Sequence, residues 1–190
     1  MAEVLLFHHA QGLTEGVIAF ADHLRRAGHT VHTPDLFEEQ TFDSIEAGMA
    51  HVKAQGMQAL TARAMALAEP LPTDLVYAGL SFGVVPAQQL AQTRPGARGA
   101  LLFYSCLPGD DVGPWPDGLP AQIHGMDRDP IFADEGDLEA ARALAAEHSS
   151  VEVFLYPGDQ HYFSDSSLPS YDAEATAVLT ARVLEFLAKL

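Results

Sequence analysis

Short apolar runs alternate with longer amphipathic stretches along the whole chain, a pattern that predicts strand, loop and helix in repetition. The first apolar run is residues 4–8. Thr14 then caps a stretch reaching residue 26, whose apolar set, Val17, Phe20, Ala21 and Leu24, falls at helical spacing, and Gly28 ends it. Residues 30–33 read as a second strand, stopped by Pro34. Asp43, with Glu46 three positions on, makes a capping box for one long helix over 44–67, and Pro70 and Pro72 prevent its continuation. Further strands are predicted over 74–78, 100–104, 121–124 and 151–156, and further helices over 82–93, 138–147 and 171–190.

Strands of four to six mostly apolar residues, each separated from the next by a helix or a long connection, imply a parallel sheet covered on both faces. No internal repeat, linker or low-complexity segment interrupts the alternation, so residues 1–190 read as one three-layer α/β domain. In such sheets a ligand sits outside the carboxyl ends of the strands, which singles out the residues just after each run.

Two of those segments stand out. Gly79-Leu80-Ser81-Phe82-Gly83 is G-x-S-x-G between a strand and a helix, a sharp turn that leaves no room for a Cβ at either glycine. It aims the Ser81 hydroxyl at a helix N-terminus, where free N–H groups favour developing negative charge. The bland alternative is a glycine-rich turn with a capping serine. A serine hydroxyl needs a base, and His161 stands on the loop after the last strand. The acid that orients such a base should follow the preceding strand, where residues 125–132 offer Asp129, at the head of an Asp-Pro-Ile-Phe turn, and Asp127. The N–H of Phe82 and, from the loop after the first strand, that of Ala10 are the candidate oxyanion donors, with Gly12 letting that loop bend back.

Charge narrows the partners. Twenty-six acids against ten bases give a formal net charge of −16, which argues against nucleic acid or an anionic membrane as partner. Half of that excess lies in residues 107–147, where ten acids and two arginines give 2 − 10 = −8. The single cysteine, Cys106, has no partner within the chain, no charged and apolar leader opens it, and no apolar run approaches a membrane span, so a reducing, cytoplasmic setting is expected.

The runs 8–14, 27–31, 34–37 and 41–42, together with Gly79 to Gly83, the Asp129 turn and His161-Tyr162-Phe163, resemble the dienelactone hydrolase family of the α/β-hydrolases. The resemblance spans nearly the whole chain. The intervals of 48 residues from Ser81 to Asp129 and 32 from Asp129 to His161 are close to the family's own and favour Asp129 over Asp127. It implies six parallel strands in the order 2-1-3-4-5-6, without the first two strands of the full fold and without a large lid. It also implies a serine-nucleophile hydrolase of small esters or lactones, working without cofactor or metal. Where the best-known members carry cysteine, glutamate and arginine, this chain has Ser81, His9 and, near the arginine's place, Asp165, whose charge is expected to repel a substrate carboxylate. Together with the acidic segment this favours neutral or cationic esters. His9, Gln11 and Tyr162 are candidate pocket residues, and Trp115 either walls the pocket or packs on the domain surface, with His8 and His124 in the wall or behind it. A homodimer is compatible with this reading. Two rival readings remain: a non-catalytic binding domain on the same fold, and a metal-dependent hydrolase using His8, His9, His124, His161 and Asp129, whose spacings match no zinc motif.

Overall fold

Each apolar run becomes a strand, and together they form one six-stranded parallel sheet. The computed structural model describes residues 1–190, the side chain of Asp110 apart. The strands are β1 (Glu3–Phe7), β2 (Thr30–His32), β3 (Val76–Leu80), β4 (Gly99–Phe103), β5 (Ala121–Met126) and β6 (Val151–Tyr156), in the order β2-β1-β3-β4-β5-β6, as expected. Every residue of β3, β4 and β5 is buried, whereas β6, at the sheet's edge, is mixed. Side chains alternate between the faces along each strand. Val4 and Leu6 pack with α1 (Glu15–Arg26) and α8 (Ala173–Ala188), through Phe20, Leu24, Leu179 and Val183. Leu5 and Phe7 pack on the opposite face with α2 (Ile45–Gln55), α3 (Met57–Ala68), α4 (Val84–Thr93) and α7 (Asp137–Glu147). This is the three-layer α/β arrangement, with each buried large apolar side chain contributing about 1.5–3 kcal/mol.

The predicted helix over 44–67 is in fact two. Gly56, at φ 88°, cannot continue an α-helix and divides α2 from α3. The cap is Ser44 rather than Asp43: its hydroxyl accepts the Ala47 N–H at 3.1 Å. The break brings Met57, the first residue of α3, to the same cleft as Met49 of α2. Two short helices, α5 (Gly109–Val112) and α6 (Pro130–Asp134), stand where only loop was expected. α6 starts from the Asp-Pro pair itself. Asp129 caps it, its Oδ1 accepting the Ile131 N–H at 3.0 Å, and Pro130 supplies the fixed φ of a first helical residue.

Candidate functional site

The site begins with the elbow. β3 runs on to Leu80, two residues further than its apolar pattern suggests, and Ser81–Gly83 form a 3₁₀ turn leading into α4. Ser81 sits at φ 48°, in the left-handed region that costs a residue with a Cβ roughly 1–2 kcal/mol. The two glycines are required by contact. A Cβ on Gly79 would lie 2.1 Å from the Gly83 carbonyl oxygen, and one on Gly83 would lie 2.5 Å from that of Phe7. The turn therefore crosses directly over the end of β1, and the strain it holds lifts the Ser81 hydroxyl clear of the sheet.

Ser81 Oγ lies 2.9 Å from His161 Nε2, and His161 Nδ1 lies 2.6 Å from Asp129 Oδ2. A carboxylate can only accept, so Nδ1 carries the ring proton and Nε2 is left free to take one from the serine. Asp129 is fully buried and His161 nearly so. Asp127 is elsewhere: it is exposed, and its Oδ1 accepts the Gly158 N–H at 3.0 Å, pinning the loop that leads to His161.

The other predicted residues divide. Ala10 and Phe82 are buried, and the Tyr162 hydroxyl lies 3.5 Å from Ser81 Oγ. Tyr162 lines the cleft, as does Gln11 a neighbouring one, where its amide donates to the Phe42 carbonyl at 2.8 Å. His9 lines neither of these clefts. It is buried, stacked on the Tyr162 ring at 4.2 Å, and its Nε2 lies 2.8 Å from Asp165 Oδ2. Asp165, expected near the pocket mouth, is buried behind it. Burial works to raise its pKa, but donors from His9, Ser167 and Thr14 outweigh that and hold it down at about 2. Its charge is spent on these partners and does not face a substrate. Trp115 is likewise in the core, its indole N–H donating to the Leu119 carbonyl at 3.0 Å, because the 105–118 loop folds inward over β4.

His8 and His124 are internal too. Leu36 N–H donates to His8 Nε2 at 3.0 Å, and burial lowers His8 to about 4. His124 is stacked between Phe103 and Phe154 and bonded to Tyr156 and Gln122, and burial lowers it to about 3. The histidines that topology could have gathered are thus separately occupied. Among the described residues no group of three or more His, Cys, Asp or Glu side chains is placed to hold a metal ion. Burial pushes the Cys106 thiol up to about 12, which leaves it a poor nucleophile.

One residue of the site escaped the sequence. Tyr104, just past β4, sits at φ 65°, its ring 5.7 Å from that of His161 and its hydroxyl bonded to Ser164. It braces the loop that carries His161, and no local motif announces it.

Ser81, His161 and Tyr162 open onto a cleft of about 380 Å³, with an apolar wall of Ile45, Met49, Met57, Val85 and Ile131. Three of those side chains come from α2 and α3, so the helix pair forms the wall for which Trp115 was a candidate. Glu46 and Glu135 stand at the rim, and no Lys or Arg lines this cleft or its neighbour.

A six-stranded parallel sheet with helices on both faces and a serine on a strained strand-to-helix turn is the α/β-hydrolase fold. The dienelactone hydrolase family model matches residues 1–190, and the chain belongs to that family. Among solved structures it is similar to a dienelactone hydrolase-like promiscuous phosphotriesterase from metagenomic libraries, at 21% identity and TM-score 0.77, covering 100% of this chain and 87% of that one. It is also similar to a candidate dienelactone hydrolase from Klebsiella pneumoniae subsp. pneumoniae, at 18% identity and TM-score 0.78, covering 100% and 88%. A cold-adapted esterase from an Arctic intertidal metagenomic library gives 19% and 0.66, covering 98% and 82%. At such identities the likeness concerns the fold. Among curated proteins none matches the chain significantly.

Proposed function

We propose that the chain is a serine hydrolase that cleaves small neutral or cationic esters or lactones through an acyl-enzyme. The observation that carries this reading is the hydrogen-bonded line from a strained, cleft-facing Ser81 through His161 to the buried Asp129. In this reading His161 Nε2 takes the hydroxyl proton as Ser81 Oγ attacks the substrate carbonyl, and Asp129 fixes the ring tautomer and stabilises its positive form. The Phe82 N–H and the first loop around Ala10 supply donors to the oxyanion. The proton then passes from His161 to the leaving alcohol, and water, activated the same way, releases the acid. The apolar wall suits a short acyl chain, and the acidic rim disfavours a carboxylate on the substrate.

The test is labelling by a fluorophosphonate probe together with hydrolysis of p-nitrophenyl butyrate, for the wild type and Ser81→Ala, with and without chelator. Both signals vanish in Ser81→Ala and ignore chelator if the reading is right. Labelling that ignores Ser81, or hydrolysis that only the chelator removes, overturns it.

A further inference from the structure

Tyr162 has no role in the line of Ser81, His161 and Asp129, yet its hydroxyl is aimed at the reacting atoms. The residue is almost wholly buried, at 2% exposure, and its ring is fixed on both sides. His9 stacks on it at 4.2 Å and 9°, itself held by Asp165, and the His161 ring lies 4.7 Å away on another side. Held this way, the hydroxyl has little freedom to swing out.

The contact with Ser81 defines what the hydroxyl does. The phenol's own proton has Ser81 Oγ as its partner, at 3.5 Å, well beyond the usual 2.5–3.0 Å of an O–H···O bond. The resting enzyme therefore contains a buried donor whose proton is held back from a full hydrogen bond. Once Oγ bonds to a carbonyl carbon, the carbonyl oxygen lies one atom beyond it. A donor 3.5 Å from Oγ, too far for a full bond to Oγ itself, is near enough to serve that oxygen.

We infer that Tyr162 is a catalytic residue: its O–H donates to the oxyanion beside the Phe82 N–H. The inference rests on the acyl-enzyme reading above. No bond to Tyr162 forms or breaks, and its proton stays on oxygen throughout. Burial pushes the phenol up to about 12, which keeps it protonated, and so a donor, across the working range. The stack on His9 also gives the buried His9 and Asp165 pair a purpose: it holds the ring at one angle.

The experiment measures kcat and KM for p-nitrophenyl butyrate in the wild type, Tyr162→Phe and Ser81→Ala, with affinity for butylboronic acid, whose tetrahedral adduct imitates the intermediate. Tyr162→Phe keeps the ring and removes only the donor. The expected result is a kcat about 100-fold lower, KM within about 2-fold, and boronate affinity falling with kcat. A kcat at or above the wild-type level overturns the inference alone, whereas activity retained in Ser81→Ala overturns the acyl-enzyme reading and the inference with it. If Tyr162→Phe fails to fold, fluorinated tyrosines at 162 keep shape and donor while raising acidity. Boronate affinity should then rise along that series, and a flat series overturns the proposal.

Discussion

Two buried histidine–aspartate pairs lie on either side of the Tyr162 ring, and they differ in what the second ring nitrogen meets. In the first, His161 Nδ1 is bound to Asp129 at 2.6 Å and Nε2 faces the Ser81 hydroxyl at 2.9 Å. In the second, His9 Nε2 is bound to Asp165 at 2.8 Å, and Nδ1 accepts the Gln11 N–H at 3.2 Å. The Gln11 donor fixes His9 as the neutral tautomer that gives its one proton to Asp165, leaving no free lone pair. The carboxylates differ in the same way. Asp129 accepts from His161 and one backbone N–H, whereas Asp165 accepts from His9, Thr14, and the N–H and hydroxyl of Ser167. Residue types and even distances are shared, but one pair keeps a basic nitrogen beside a strained hydroxyl and the other spends every site on the scaffold.

The comparison breaks most sharply if the first pair can be disabled without touching the fold. Ser81→Ala should lower kcat by about 10⁴- to 10⁶-fold, with the midpoint of urea unfolding little changed, because the two groups that lose a partner, His161 Nε2 and the Tyr162 hydroxyl, line the cleft rather than the core. Asp129→Asn should follow at about 10⁴-fold in kcat. Its amide turns Nδ1 into an acceptor and puts the proton on Nε2, where it blocks the serine. Hydrolysis assays on purified variants with matched circular dichroism check both.

The second pair should answer in stability rather than rate. Asp165→Asn places an amide among four donors, and the loss should be about 2–4 kcal/mol by urea unfolding, with kcat falling only as far as the His9 stack on Tyr162 loosens. The pH dependence separates this pair from its neighbours. Asp165 is held at about 2, below the ordinary 3.8, so its contribution is complete above pH 3.8 and is lost as pH falls towards 2. At about 1.4 kcal/mol per unit that is about 2 kcal/mol. His8 and His124, lowered from 6.5 to about 4 and about 3, contribute stability that is complete above pH 6.5 and falls away earlier in the descent, as the unfolded chain binds protons that the folded one refuses. Unfolding free energies measured from pH 7 to pH 2 should thus fall in both proteins from about pH 6.5, while the difference between wild type and Asp165→Asn shrinks only below pH 3.8. A constant difference down to pH 2 would remove Asp165 from the account.

What could be read from the chain follows the range of the interactions concerned. The six strands, their order and the Ser81 turn follow from local patterns and from a family likeness that spans the chain, and the structure agrees with them. The alignment of Ser81, His161 and Asp129 was legible because each residue follows a strand, and parallel strands bring such ends to one edge. The differences at the site concern orientation across the fold. Asp165 and His9 lie next to pocket residues in sequence, but nothing local says that their side chains turn inward to meet Thr14 across 151 residues. Trp115 carries an indole N–H satisfied by Leu119, a partner that pattern alone does not supply. Gly56 was visible in the sequence, and its meaning depended on a left-handed φ that only the packing of α2 and α3 decides.

The smallest effect gives the finest test of the comparison, because it concerns the carboxylate two residues from Asp129. Asp127 caps no helix and touches no imidazole. Its carboxylate takes one backbone N–H, from Gly158, in solvent, at a glycine whose φ of 148° belongs to the loop before His161. An exposed hydrogen bond of this kind contributes about 0.5–1.5 kcal/mol, and asparagine keeps an acceptor oxygen in the same place. Asp127→Asn should therefore change kcat less than about 2-fold and stability by less than about 0.5 kcal/mol. Asp127→Ala frees the loop and should cost about 1 kcal/mol, with KM rising more than kcat falls as His161 becomes less well placed. A drop in kcat for Asp127→Asn comparable with that of Asp129→Asn would mean that His161 turns to the outer carboxylate during the reaction, and the division between a working pair and a structural pair would have to be redrawn.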